Sequence, residues 1–280
     1  MGPKHYGCGF GRPGIGCRLR AFRYTAGSTR RRQGAGCSIG GRVAWQGRKV
    51  LAVVPARGGS KGIPRKNLCK VGGMSLIAHA ARTARALDWI DCAVLSTDDE
   101  EMADEGRRHG LDVPFLRPSE LASDTASGVD VWRHAWLESE RHRGCRFDLS
   151  VLLQPTTPLR RADEVERTLR ALTDGGHRAA ATVGRVPLDF TPERCLRLGP
   201  DDRLSFYHPE GARISRRQDF ESLYFRDGSC YAVTRETLVD AGNVIEDDCV
   251  GVLIDRYVVN IDEPFELELA EFVYERGGDL

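Results

Sequence analysis

Five consecutive apolar residues, Val50 to Val54, empty directly into the stretch P-A-R-G-G-S-K-G-I-P-R-K-N. That junction limits what the chain can fold into more than any other. A short run rich in β-branched residues, with no polar alternation, suits a strand covered on both faces, and such strands belong to parallel sheets layered with helices. Pro55 lacks the N–H that a ladder needs and marks the strand's end. Gly58, Gly59 and Gly62 open backbone conformations closed to other residues, while Arg57, Lys61, Arg65 and Lys66 put four cations into ten residues. A strand that ends in this way makes an anion cradle: backbone N–H groups can approach phosphate oxygens closely, and the long cations neutralise charge that dipoles alone leave. Neither G-x-x-x-x-G-K-[ST] nor G-x-G-x-x-G can be laid on the loop, so it is not a Walker loop or a dinucleotide fingerprint.

Strand and helix patterns alternate downstream. Met74 to Leu87 puts Leu76, Ile77, Ala80, Ala81, Ala84 and Leu87 on one helical face; Cys92 to Ser96 reads as a second buried strand; and Asp99 to His109, acidic at its start, suits the positive end of a helix. Leu116 to Ser127 is a polar loop whose Ser127 can cap a helix to about His142, burying Val129, Val131, Trp132 and Trp136. Leu149 to Leu153 is the third buried strand and runs into Gln154-Pro155-Thr156-Thr157-Pro158. A helix from Ala162 to Leu172 and a strand from Ala179 to Val186 follow. Further strands are expected over Leu223 to Val233, bent at Gly228, over Val250 to Ile254 and over Tyr257 to Ile261, before a helix from Pro264 to Arg276. The alternation predicts an α/β fold with a mostly parallel sheet. Ligands bind beyond the carboxyl ends of such strands, so segments 55–67, 96–99 and 154–161 are expected to converge on one cleft. Residues 187–222 break the pattern: polar, Pro-containing and carrying Phe190, Phe206, Tyr207 and Phe220, they read as an excursion that covers the cleft or meets a second subunit.

The 280 residues, 41% hydrophobic, can bury a large core, but charge divides them sharply. Residues 1–49 hold eleven basic and no acidic residues, which leaves 30 basic against 40 acidic in the remainder. The basic part is Gly-rich, lacks periodicity and is expected to be a disordered extension, with the folded domain spanning 50–280. It has no apolar core for a secretion signal, and its glycines argue against an amphipathic presequence. An Arg/Gly-rich arm that attracts nucleic acid, or an upstream leader without function, remains open for it. The nine cysteines show no zinc spacing, and read as reduced thiols of a cytoplasmic protein. No run approaches the roughly 18 apolar residues of a membrane span.

The arrangement P-A-R-G-G-S-K-G-I-P-R-K-N resembles the signature loop of the acylneuraminate cytidylyltransferases, the CMP-sialic acid synthetase family. The similarity extends through LSTDDEEMADEGRRHG, LRPSELASDTAS, LLQPTTPLR, YFRDGSCYAV and VVNIDEPFELELAE, in the family's order and from Val50 onward. It implies a Rossmann-like three-layer sandwich of the nucleotide-diphospho-sugar transferase type. It also implies a reaction in which the anomeric hydroxyl of a nine-carbon 2-keto sugar acid attacks the α-phosphorus of CTP with Mg²⁺ help. By the same resemblance Arg57, Lys61 and Lys66 are catalytic and Ser60 and Asn67 share their triphosphate loop; Ser96, assisted by Arg85, reads the cytosine; Gln154 and Arg226 contact the sugar acid; and Asp262 binds the metal. A homodimer is implied as well, with residues 187–222 of one subunit approaching the other's sugar pocket, and neither membrane nor nucleic acid as partner. Two departures stand out. Asn260-Ile261-Asp262 replaces the D-I-D of the sialic acid enzymes, and Gln154-Pro155-Thr156-Thr157-Pro158 replaces the Q-G-D-E-P of the Kdo enzymes. The N-I-D-E-P-F ending looks closest to the legionaminic acid branch.

Two rival readings come from other classes. Gly58-Gly59-Ser60-Lys61-Gly62 formally matches the G-x-S-x-G elbow of α/β-hydrolases, with Ser60 as nucleophile, but Pro64 bars the helix that an elbow requires. The other is an inactive nucleotide- or nucleic-acid-binding relative that works through the basic arm.

Overall fold

Central strands that are apolar on both faces need two layers of cover, and this chain supplies both. In the computed structural model, which describes residues 44–213, 216–245 and 248–277, β1 (Val50–Pro55) leads to a small ribbon, β2 (Lys70–Val71) and β3 (Met74–Ser75), and then to α1 (Leu76–Arg85). The alternation continues through β4 (Cys92–Ser96), α2 (Glu100–Arg108), α3 (Gly128–Arg143), β5 (Leu149–Leu152), α4 (Ala162–Asp174) and β6 (Ala179–Arg185). A hairpin of β7 (Leu196–Leu198) and β8 (Leu204–Phe206) leaves the sheet, which β9 (Tyr224–Thr234) and β10 (Cys249–Leu253) rejoin before α5 (Pro264–Glu275).

The main sheet has the order β10-β6-β9-β5-β1-β4. β1 is parallel to both neighbours, with Leu51 opposite Cys92 and Val50 opposite Leu149, and β10 is parallel to β6. β9 runs antiparallel to β5 and β6. Strand order reverses at β1, since β4 lies on one side of it and β5 on the other, so the crevice beyond its carboxyl end is where this fold receives ligands. Val50, Ala52 and Val54 share a core with Ile77, Ala81, Met102 and Leu169 of α1, α2 and α4. Leu51 and Val53 face the opposite way, into a core with Trp132 and Trp136 of α3. The result is the expected three-layer α/β arrangement with a mostly parallel sheet.

Local chemistry sets the helix starts. Ser75 accepts from the Ala78 N–H, Asp99 from Met102 and Ser127 from Val129, so each helix begins one residue after a side chain that satisfies an orphan donor. Pro264 opens α5 at a position where its missing N–H costs nothing.

Two expectations need correction. Tyr257 to Ile261 forms no strand: Val259 and Ile261 are buried, but beneath α5, in a cluster with Ile63, Val71 and Leu76. One backbone bond, from Ile261 N to Thr156 O at 2.8 Å, ties this segment to the loop after β5. The folded chain also begins earlier than Val50. Trp45 is buried, its ring edge-on to Trp89 at 5.0 Å between centroids and its indole N–H donating to Thr173 Oγ1 at 3.2 Å. The expectations for residues 1–43, including Cys8, Cys17 and Cys37, fall outside the described residues, within which the other six cysteines are unpaired. No helix of the described residues is long and apolar enough to cross a membrane. Replacing Trp45 with Ala should cost about 3 kcal/mol, the usual loss for a buried aromatic, read as a lowered urea midpoint; a loss below about 1 kcal/mol would return the boundary to Val50.

Candidate active site

Four cations on one short loop repel one another unless carboxylates are brought to them. Here the carboxylates come from three distant segments. Arg65, in left-handed conformation at φ 54°, pairs with Asp99 at 3.0 Å and Glu101 at 2.7 Å. Burial opposes charge on Asp99, yet the Met102 N–H and the Arg65 guanidinium hold its carboxyl below the usual range. Arg57 and Lys61 both reach Asp124, at 2.9 and 2.8 Å, and the two cations hold that carboxyl low as well. Lys66, only 14% exposed, pairs with Asp262 at 2.8 Å. Main-chain contacts fix the loop between these anchors: Gly58 N donates to Asp98 Oδ1 at 2.9 Å and Asn67 Nδ2 to Arg57 O at 3.2 Å. Gly62 lies so close to the Asp262 carbonyl that an added Cβ would stand 2.4 Å from the oxygen, so a larger residue would push the loop off the 260–263 segment.

These segments enclose a cleft of about 540 Å³ at the carboxyl ends of β1 and β5. Of the residues expected there, Arg57, Ser60, Lys61, Lys66, Asn67, Gln154 and Asp262 line it. Three do not. Ser96 is wholly buried, covered by Arg117, whose Nε donates to Ser96 Oγ at 3.1 Å and whose Nη2 donates to Ser96 O. Arg85 sits in the last turn of α1, just ahead of β4, and therefore at the far end of the sheet, where its side chain passes Gly110. Arg226 is exposed on β9, two residues before the bend at Gly228. In place of Ser96 and Arg85 the cleft wall holds Arg117, which is 6% exposed and whose guanidinium burial lowers to about 10. It stands in the L-R-P-S-E-L stretch, where an Arg alone reads as solvated; only the proximity of Ser96 reveals its burial.

On the other wall, Gly228 at φ +79° lets the Gln154 carboxamide pack against its backbone, since an added Cβ would stand 3.1 Å from Gln154 Oε1 and 3.7 Å from Asn260 Oδ1. Asn260 Nδ2 donates to Asp262 Oδ2 at 2.7 Å, so the two side chains share one side of the segment. Asp262 is not the cap of α5: that role belongs to Glu263, with Glu266 Oε2 accepting from the N–H groups of both Asp262 and Glu263. A carboxylate beside an amide, open to the cleft, is an oxygen set that suits a magnesium ion whose shell a ligand's phosphate oxygens complete. No group of three or more His, Cys, Asp or Glu that could hold a metal stands together among the described residues. The nucleophile-elbow pattern fails on geometry. Ser60 is followed by bends and turns, and the first helical turn, Lys66–Leu68, comes six residues later.

The cleft is therefore a receptor for a polyanion, with cations on one wall and amide, guanidinium and carboxylate groups on the others. Comparisons with known proteins agree with that chemistry. A family model described as Cytidylyltransferase matches residues 51–182. The CMP-N,N'-diacetyllegionaminic acid synthase of Legionella pneumophila is 28% identical over 81% of this chain and 97% of its own length. The pseudaminic acid cytidylyltransferase of Campylobacter jejuni is 29% identical over 81% and 96%. Among solved structures, CMP:2-keto-3-deoxy-manno-octonic acid synthetase complexed with CTP superimposes with a TM-score of 0.61 over 82% of this chain and 99% of that one, at 18% identity, which supports the fold. The matched model, the end-to-end similarity to these relatives and the shared architecture place the chain in the cytidylyltransferase family.

Proposed function

We propose that this protein transfers CMP from CTP to the anomeric hydroxyl of a nine-carbon 2-keto sugar acid of the sialic, legionaminic or pseudaminic type, releasing pyrophosphate. One observation carries the reading: Arg57, Lys61 and Lys66 gather at a cleft in a chain whose named legionaminic and pseudaminic acid relatives align over nearly their whole length. Phosphoryl transfer asks mainly for positioning and charge neutralisation, and three cations aimed at a triphosphate supply both. Ser60 and Asn67 complete the triphosphate loop. Arg117 takes the base side of the cleft that Ser96 and Arg85 do not reach. Gln154 and Arg226 are assigned to the sugar acid, the guanidinium being the natural partner of its carboxylate. Asp262, with Asn260 beside it, would hold Mg²⁺, which when bound offsets negative charge on the phosphate oxygens. CTP as substrate and six unpaired cysteines both favour the cytoplasm.

The test is direct: purified protein with CTP, Mg²⁺ and sialic, legionaminic or pseudaminic acid releases pyrophosphate with at least one of them and not with Kdo. Silence with all three overturns the reading. In the active combination, Arg57→Ala and Lys61→Ala should each lower kcat on the order of 10²-fold at saturating CTP; a variant within about twofold of the parent has no catalytic role at that position.

Asp262 and Asn260 give a second test. Asp262→Asn removes the formal charge from the proposed metal site and should nearly abolish turnover, whereas Asn260→Asp should be tolerated and lower the Mg²⁺ concentration needed for half-maximal rate. A fully active Asp262→Asn protein would mean that the metal is held elsewhere.

Residues 187–222 support a homodimer. Phe190, Leu198, Leu204 and Tyr207 are all more than half exposed on and beside the β7–β8 hairpin, which is more apolar surface than a lone excursion leaves uncovered. Sedimentation should give twice the chain mass. Leu198→Glu with Leu204→Glu should reduce it to one, and an active parent monomer would refute the assembly.

A further inference from the structure

Gln154 and Arg226 lie on different strands, so something must fix the distance between them. The segment after β5 contains a second arginine, Arg160, which is 6% exposed and whose guanidinium burial lowers to about 10. Burying a guanidinium costs several kcal/mol, and an apolar residue of like size commonly serves stability as well or better. Its bonds show what it does instead. Nε donates to Ser229 O at 2.8 Å, and Nη2 donates to Thr157 Oγ1 at 2.6 Å and to Gln154 O. Thr157 Oγ1 in turn donates to Gly228 O at 2.9 Å. One planar fork thus grips the main chain of Gln154 and, directly or through Thr157, the main chain at Gly228 and Ser229.

Those are the two places that set the sugar side of the cleft. Gln154 bears a carboxamide that packs on Gly228, and β9 enters the bend at Gly228 directly after Arg226 and Asp227. Asp227 is itself buried, with Oδ1 accepting from Thr182 Oγ1 at 2.5 Å and from Ser229 N at 2.8 Å, so the bend is held from its other side too. We propose that Arg160 is a positioning residue for the sugar acid: it sets the spacing between Gln154 and the β9 bend that carries Arg226, without touching substrate. The inference rests on the cytidylyl-transfer reading and deepens its sugar side.

Geometry makes the role testable by a conservative change. A lysine keeps the charge, but its ammonium is a point donor and does not span acceptors on two segments as the fork does. In steady-state kinetics with the acid that the parent turns over best, Arg160→Lys should raise KM for the acid on the order of tenfold or more, as small misplacements of positioning groups do. KM for CTP should stay within about twofold. Thr157→Val, which removes the hydroxyl between Arg160 and Gly228 at little cost in volume, should show the same split more weakly, and it carries the test if Arg160→Lys does not fold. A structural role alone would lower the melting temperature and shift both substrates together. An unchanged acid KM, or an equal rise for CTP, overturns the proposal. A parent that is inactive with every acid overturns the cytidylyl-transfer reading instead, so the two failures are distinguishable.

Discussion

Mutual repulsion among Arg57, Lys61, Arg65 and Lys66 is the constraint around which the rest of the fold is arranged. Two unit charges about 4 Å apart near a protein surface interact by roughly 4 kcal/mol, so a loop this basic keeps one shape only if anions are delivered to it. They arrive from the end of β4 and the start of α2 (Asp98, Asp99, Glu101), from the turn before α3 (Asp124) and from the approach to α5 (Asp262). Each pairing ties the loop to a different part of the chain. The charge pattern of one stretch thereby determines which strand ends must meet.

The antiparallel strand β9 solves a second problem of delivery. In a parallel sheet the carboxyl ends of strands share one edge, and amino ends lie out of reach. Because β9 runs against β5, with Leu152 opposite Tyr231 and Leu149 opposite Thr234, its early residues lie at the edge where β5 ends. Gly228 and Ser229 thus come beside Gln154 and Thr157 although they belong to the first half of their strand. The Arg160 fork closes that junction.

Legibility in the sequence follows the locality of the signal. Val50 to Val54, Cys92 to Ser96 and the cap at Ser127 could be read because burial on both faces, and a hydroxyl ahead of a helix, leave marks within a few residues. Tyr257 to Ile261 misled because alternate burial looks the same whether the cover is a partner strand or, as here, a helix lying across it. Trp45 was hidden in a Gly- and Arg-rich stretch, and its partners Trp89 and Thr173 are remote in the chain. Arginines were the least readable. Arg85 on a helix and Arg117 in a loop look alike as letters, yet one lies at the far end of the sheet and the other is buried against Ser96. The family motifs gathered most of the cleft correctly because they sit at strand ends, where the fold itself brings them together.

Asp124 has a consequence beyond shape. With its carboxylate already bridging Arg57 and Lys61, the cradle carries its own internal counterion. An arriving polyanion does not meet bare cations surrounded by salt from the medium; it displaces a tethered carboxylate, and the site works as an ion exchanger whose outgoing ion never leaves the protein. Fewer mobile ions are then released on binding than the number of cations suggests, so affinity should fall less steeply with ionic strength than at a cradle without a resident anion.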